Sequence, residues 1–500
     1  MKGPDRLAVG RLAATWWLPT VIACAVGTLY VCYSVAQWRA LVAPSWDLGI
    51  FAEAVQAYSR FEAPIVPIKG PGYNLLGDHF HPILALLGPV YRLFPSALTL
   101  LVVQDVLIAA SAAPIARLAQ RLLGRGGALL VGFAYGLGWG LQGAVGAQFH
   151  EVCVAVPLLA LGGVAFVERR WGACMAWLAP LVLIKEDLGL TVFVAGLALA
   201  WRGRREGRSR VMLTLAYALF GIVAFVVTVK VLLPAMNPAG TWAYSLDGAA
   251  TGAGTPMGGS TAAREVPSPW AVLTSPPVKL ATLLVLLAGA GFVGAGSPWF
   301  ALVLPTLAWR FAGSVETYYV WDSWHYNAVL VPIAACSLLD VIDQWCEPKR
   351  AAVGDDTDSE NDAPASPTRG RRAGAWAVAC VPALSLAITA SALPLWQLPT
   401  LTEDPRMAAA QGVLDAVPEG ASVETDTTLL ARLVPGREVY WVGTSGTMDT
   451  PPEYVVIDVR SYAWGGAHVD AESWASAAHP GHSYETVYAK QGFWVARRTS

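Results

Sequence analysis

Five short stretches of this chain carry residue types that do chemistry: Trp46-Asp47-Leu48-Gly49, Gly77-Asp78-His79-Phe80-His81, Phe149-His150-Glu151, Lys185-Glu186-Asp187 and Trp321-Asp322-Ser323-Trp324-His325. Carboxylates and imidazoles take protons from hydroxyls or hold cations, and lysine and arginine hold phosphate. In an apolar chain such groups are costly unless they meet water or a partner, so their placement is informative. Asp47, directly after Trp46, is placed to deprotonate a hydroxyl brought to a membrane surface, with basicity raised by partial desolvation; the plainer reading is a cap on a helix starting at Leu48. Asp78, His79 and His81 put a carboxylate and two imidazoles within four positions. That density would hold a divalent cation, or the imidazoles simply bond backbone carbonyls in a kinked loop. No cofactor beyond such a cation is implied.

The remaining candidates divide in the same way. His150, Glu151, Glu186 and Asp187 complete a site from neighbouring helix ends, or cap those helices. Lys69 stands beside Gly70 and Gly72, where a headgroup can approach the backbone, and is a candidate for binding phosphate. Lys185 is another, unless it is absorbed by Glu186. Arg310, at the outer end of an apolar segment, reads as an anion or carboxylate partner or as a side chain that snorkels to the interface. Asp322 and His325 lie among Tyr318, Tyr319, Trp321, Trp324 and Tyr326, a composition that grips sugar rings. An aromatic interface belt accounts for the rings but for neither Asp322 nor His325. Glu53, with Arg60 on the same helical stretch, reads as a solvated face.

The elements that position these residues follow from composition. The chain is 55% hydrophobic and 14% charged, with a mean hydropathy of +0.47. That is more apolar sequence than a soluble core can bury, so a polytopic α-helical membrane protein is expected. A net charge of −2 gives no basic surface for nucleic acid. The seven cysteines include no C-x-x-C pair, so neither a disulfide framework nor a zinc knuckle is expected. Apolar windows of spanning length predict about eleven transmembrane helices, near 16–36, 97–117, 127–145, 151–167, 171–184, 188–201, 211–233, 278–295, 298–313, 328–345 and 374–393.

On alternate sides of these spans lie eighteen and nine Lys and Arg residues. The N-terminus is therefore predicted cytoplasmic and the acid-bearing face extracytoplasmic. The transmembrane core is expected over 1–345, with a long first external loop at 37–96 containing helical stretches at 50–60 and 83–93. A flexible external loop is expected at 234–277, a disordered cytoplasmic linker at 346–373 and a last span at 374–393. The tail, 400–500, reads as a small extracytoplasmic α/β domain. Helices are expected at 404–417 and 428–433, and strands at 421–425, 438–442, 454–459, 484–488 and 493–497. It lacks any phosphate loop or nucleophile elbow and reads as a lid or docking module.

Trp46-Asp47-Leu48-Gly49-Ile50-Phe51, Ile68-Lys69-Gly70, Asn74-Leu75-Leu76-Gly77-Asp78-His79-Phe80, Phe149-His150-Glu151 and Lys185-Glu186-Asp187 together resemble a bacterial membrane family known as domain-of-unknown-function family 2079. That family is similar to the GT-C glycosyltransferase superfamily. The resemblance implies a sugar transferred from a polyprenyl-phosphate donor to an extracytoplasmic glycan, lipid or protein acceptor, with Asp47 as the essential acid and Asp78 as a second. Many GT-C relatives carry two adjacent acids, whereas Leu48 follows Asp47 here. The competing readings are a lipid or small-molecule transporter or flippase, and a non-catalytic envelope scaffold.

Overall fold

A computed structural model describes residues 6–237, 239–240, 274–313, 315–346 and 369–499. The chain is mostly helical, with one small sheet near its C-terminus. Helix α1 (Arg6–Arg39) is followed by the first-loop helices α2 (Asp47–Ser59) and α3 (Gly88–Leu93), then α4 (Ala97–Ala110) and α5 (Ala112–Gly136). Next come α6 (Trp139–Gly146), α7 (Ala155–Val167), α8 (Trp171–Leu178), α9 (Leu188–Gly203), α10 (Arg208–Val227) and α11 (Leu233–Met236). Helices α12 (Val278–Gly289), α13 (Val303–Ala312), α14 (Leu330–Cys346) and α15 (Arg369–Thr389) complete the apolar part.

Five helical segments among the described residues are long and apolar enough to cross a membrane: Trp16–Arg39, Ala97–Gly146, Arg208–Met236, His325–Cys346 and Arg369–Ala392. Several other expected spans appear as apolar helices of 10–17 residues. The Ala97–Gly146 segment contains two expected spans, because the chain reverses at Gly124. Gly124 has φ +78, a left-handed conformation that a side chain would strain. The two legs then run antiparallel, Ala112 opposite Gly136 and Ala116 opposite Gly132. The arginines flanking that reversal stack on the tryptophans of α1, Arg117 at 4.8 Å from Trp16 and Arg125 at 6.0 Å from Trp17. Residues 241–273 and 347–368, where the flexible loop and the linker were expected, lie outside the described residues; 369–373 already belong to α15.

The tail contains α16 (Met407–Ala416), α17 (Thr427–Leu433), α18 (Ala471–Ala478) and five strands: β1 (Ser422–Thr425), β2 (Glu438–Trp441), β3 (Tyr454–Asp458), β4 (Tyr484–Lys490) and β5 (Phe493–Arg498). The sheet order is β2-β1-β3-β5-β4, with β1 parallel to both β2 and β3, and β5 antiparallel to β3 and β4. Every expected strand and helix of the tail is present, and α18 is an additional one. Asp426 caps α17 through Thr428 N, and Asp470 caps α18 through Ser473 N.

The tail is docked on the first loop. Val423, Leu430, Val439 and Val495 belong to the same buried cluster as Leu48, Phe51 and Val55. Trp441 meets Trp46 edge to face at 5.4 Å, Arg432 lies over Trp38 at 3.8 Å, and Gly436 N donates to Gln56 Oε1 at 3.2 Å. Glu53 closes the junction. Its carboxylate accepts Ile68 N at 3.1 Å and Val439 N at 3.3 Å, so one side chain ties α2, the first loop and β2 together. The expected solvated face is thus wrong for Glu53, which is buried. Sequence periodicity placed it with Arg60, but the tail covers it. Glu53→Leu would orphan two buried N–H groups at a cost of about 1–3 kcal/mol each. The expected outcome is cleavage of the 393–405 connection under limited proteolysis in conditions where the wild type resists; equal resistance would remove Glu53 from the junction.

Candidate active site

The five chemistry-bearing stretches converge. Asp47 opens α2, with Ser45 Oγ donating to its Oδ2 at 2.8 Å. Opposite lies His150, Nε2 at 3.4 Å from Asp47 Oδ2. His150 is held by the loop after α6, where Gln104 from α4 acts as a clamp: Nε2 donates to Gln148 O at 3.0 Å and Oε1 accepts His150 N at 3.0 Å. The His150 ring contacts Gln148 O through Nδ1 at 3.2 Å, which turns Nε2 toward Asp47. His325 stacks on His150 with ring centroids 3.6 Å apart and planes 21° apart. The 323–327 loop reaches that position because α6 presents glycines: a Cβ on Gly140 would meet Asn327 O at 2.7 Å, and one on Gly143 would meet Trp324 O at 2.9 Å.

Around this centre the charged groups pair. Lys185 Nζ binds Glu151 Oε1 at 2.6 Å, with side-chain exposures of only 11% and 2%. His79 Nδ1 binds Glu186 Oε1 at 2.9 Å, and Phe80 N donates to Glu186 Oε2 at 3.2 Å. Lys69 Nζ binds Asp78 Oδ2 at 2.6 Å, with Tyr73 donating to the other carboxylate oxygen at 3.2 Å. Asp187 accepts from Trp309 Nε1 at 2.9 Å. Of these ion-paired acids Asp47 is the most open, its side chain 30% exposed against 7% for Asp78, 5% for Glu186 and 2% for Glu151.

These contacts set the protonation states. Burial pushes the Asp47 carboxyl up, but His150 and then Ser45 outweigh it and hold it below the ordinary value, so the expected gain in basicity is reversed. Burial likewise opposes ionisation of Asp78, and His79 and Lys69 overcome it. Burial alone would lower His79, yet Glu186 raises it; Glu186 in turn is held low by His79 despite its own burial. His81 has no such partner strong enough, and burial lowers it to about 4. Burial raises Asp187 to about 6.

Not every candidate joins the cluster. Arg310 is fully buried and ties down the 318–327 loop, donating to Tyr318 O, to Tyr326 O at 3.0 Å and to Asn327 Oδ1 at 2.8 Å. It does not snorkel, and its hydrogen bonds go to the loop rather than to the acids. Asp322 bonds its neighbour Ser323 at 3.3 Å. Asp78, His79 and His81 do not form a ligand set: the first is turned to Lys69 and the second to Glu186, and among the described residues no three His, Cys, Asp or Glu converge to hold a metal. The donors present therefore do not fit a divalent cation. Gln104, Gln148 and Trp309 had no sequence signal, since each acts through a long-range contact; Tyr73, five residues from Asp78, was missed although its contact is local.

The family model described as "Predicted membrane protein (DUF2079)" matches residues 38–495. The chain belongs to this family. No curated protein matches it. Among solved structures, the chain is similar to ArnT from Cupriavidus metallidurans bound to undecaprenyl phosphate, at 15% identity over 95% of this chain and 97% of that one, with a TM-score of 0.50. The apo state of the same protein gives 16% identity over 97% and 98%, with a TM-score of 0.47. The fold of this membrane protein is thus the GT-C type expected from its motifs.

The His79–Glu186 pair has a defined pH window. A raised His79 contributes fully below 6.5 and loses its contribution as pH rises through its higher folded value. A lowered Glu186 contributes above 4.5 and is lost as pH falls through its lower folded value. Wild-type melting temperature in detergent should therefore decline as pH rises above 6.5, and His79→Gln should flatten that decline. An unchanged slope in the variant would assign the decline elsewhere.

Proposed function

We propose that this protein is a membrane glycosyltransferase of the GT-C type, transferring a sugar from a polyprenyl-phosphate donor to an extracytoplasmic acceptor with Asp47 as general base. The observation that carries this reading is the contrast in exposure: Asp78, Glu151 and Glu186 are closed into pairs, while Asp47 is ionised, positioned by His150 and Ser45, and open to an incoming hydroxyl. In ArnT the same fold holds undecaprenyl phosphate, which supports a polyprenyl phosphate as the donor carrier here.

The acceptor oxygen attacks the anomeric carbon as the bond to phosphate oxygen breaks. Configuration inverts, the hydroxyl proton passes to Asp47 Oδ, and the electron pair leaves on the polyprenyl phosphate. Because Asp47 is a weaker base than a free carboxylate, it takes the proton late, when the attacking oxygen has become acidic. Lys69, oriented by Asp78 and Tyr73, and protonated His79, oriented by Glu186, are the cations that meet the charge on the departing phosphate. Asp78 thus serves by positioning Lys69 rather than as a second base. Glu151 and Lys185 neutralise each other beneath the site.

The orientation that goes with this reading puts the N-terminus in the cytoplasm and the acid face and tail outside. A cysteine at position 79 should label from outside the cell and one at position 205 should not; the reverse would invert the topology. Asp47→Asn removes the base while preserving the site's shape. It should retain copurifying polyprenyl phosphate at the wild-type level and lose about 10²–10⁴ in transfer rate, the usual contribution of a general base. Wild-type transfer by that variant would remove Asp47 from catalysis.

A further inference from the structure

Where α1 packs on α4, the bundle buries polar atoms that the acid-bearing site does not use. Asp105 lies in the middle of α4 and is fully buried, as is Ser34 on α1, and Gln37 one turn further along α1 is 3% exposed. Among the described residues, Ser34 Oγ, Gln37 Oε1 and both carboxylate oxygens of Asp105 have no hydrogen-bond partner. Four buried acceptors left open on two adjoining helices call for an explanation, because such atoms are nearly always paired with protein, water or an ion.

Helix register brings these atoms together. Ile22 and Ala116 both lie against Gly132, Val26 and Ala112 against Gly136, and Gly27 meets Ala109, where an added Cβ would stand 3.2 Å from Ala109 Cβ. Numbers rise along α1 as they fall along its neighbour, so α1 and α4 are antiparallel, and the same register sets Asp105 level with residues 30–34. A helical Cβ leans toward the N-terminus of its own helix, so Asp105 and Ser34, on antiparallel helices, lean toward each other. Ser34 is accordingly the hydroxyl beside the Asp105 carboxyl, at a geometry that closes no hydrogen bond. Gln37 leans back along α1 in the direction of Ser34. Its Nε2 donates to Gly146 O at 3.1 Å and to the Tyr33 hydroxyl at 3.4 Å, which leaves Oε1 as the open atom. Gly146 ends α6, and the negative end of that helix dipole favours a positive charge nearby.

A proton on Asp105 answers only part of this arrangement. It sits on one oxygen and serves one acceptor, and the other two stay open. An ionised carboxylate without a partner is too costly to keep inside an apolar bundle. A cation ligated by these oxygens removes both costs together. One positive charge matches one carboxylate, whereas a divalent ion would leave excess charge in the bundle, and carboxylate, hydroxyl and amide oxygens are the donors that hard cations take. We propose that Asp105, Ser34 and Gln37 form a binding site for a monovalent alkali cation between α1 and α4. The ion ties together the two helices that lead to the Asp47–His150 pair. Helix α1 runs into the first loop that carries Asp47, and Gln104, which precedes Asp105 on α4, clamps His150. The site goes beyond the transferase reading and does not depend on it.

The test uses the full-length protein in detergent, with melting followed by tryptophan fluorescence in sodium, potassium or choline chloride at equal ionic strength and fixed pH. The wild-type melting temperature should rise saturably with sodium or potassium and not with choline, as for any ligand that binds the folded state alone. Ser34→Ala keeps the carboxylate and removes one ligand. It should raise the half-saturating salt concentration about tenfold, the equivalent of a lost contact of about 1.4 kcal/mol. Asp105→Asn should abolish the response. Should that variant fail to fold, binding of radiolabelled sodium and rubidium by wild type and by Ser34→Ala decides the matter, and no stoichiometric binding by wild type overturns the site. Equal melting in all three salts, or an undiminished response in Asp105→Asn, overturns it too. So does a melting temperature that follows pH but not the salt, which puts a proton on Asp105 instead. No sugar donor or acceptor enters these measurements, so their failure leaves the transferase reading to the Asp47→Asn result.

Discussion

Charge burial is the constraint on which this architecture depends. Lys185 and Glu151 meet at 2.6 Å with almost no water on either, at the ends of two different apolar helices. Neither group could be left alone there, because removing one partner of such a pair strands the other at a cost of about 3–5 kcal/mol. The same reasoning applies to His79 with Glu186 and to Lys69 with Asp78. Lys185–Glu151 and His79–Glu186 join helix ends and loops distant in sequence and hold them in register from the polar side, while Lys69–Asp78 closes the first loop on itself. The apolar helices supply the bundle, and the pairs decide how its end closes.

Within that closed network Asp47 is an exception with a physical cause. Its partner is an imidazole, as for Glu186, but at 3.4 Å rather than the 2.6–2.9 Å of the other pairs, and this imidazole is fixed by its own contacts to Gln148 O and to the stacked His325 ring. Two rings stacked face to face at 3.6 Å do not both carry a proton at little cost. A partner at that longer distance, held by its own contacts, leaves the carboxylate reachable rather than locked. A lysine at position 150 would close Asp47 into one more structural pair.

Much of this was legible in the sequence, and the reasons for what was not are specific. Segregation of Asp47, Asp78, His150 and Glu186 to one face could be read because apolar spans make the charged positions stand out and parity assigns them a side. The tail's strands could be read from alternation, and α2 from its apolar spacing after Trp46. Glu53 could not, because its partners are the backbone amides of Ile68 and Val439, and no side-chain pattern announces a donor 386 residues away. Arg310 was misplaced for a related reason. Position at a helix end suggested an interface or an anion, whereas its guanidinium spans three acceptors of a loop that has no regular period. The Asp78-His79-His81 density looked like a ligand set because sequence shows proximity but not direction. In the fold, neighbouring side chains turn to Lys69 and Glu186 on different elements.

The junction between the apolar bundle and the tail is where these observations meet. Here α2 begins at Asp47, runs under the tail through Glu53 and Gln56, and lies in the same buried cluster as Leu430 and Val439. Asp47 therefore stands at the first residue of an element whose far half is gripped by the tail. Displacing the tail would uncover Leu48, Phe51 and Glu53 and leave α2 with little to fix its start. The tail thus belongs to the geometry of Asp47, and a sequence change that loosens β2 or α17 acts on that side chain through α2 just as a change in the first loop does.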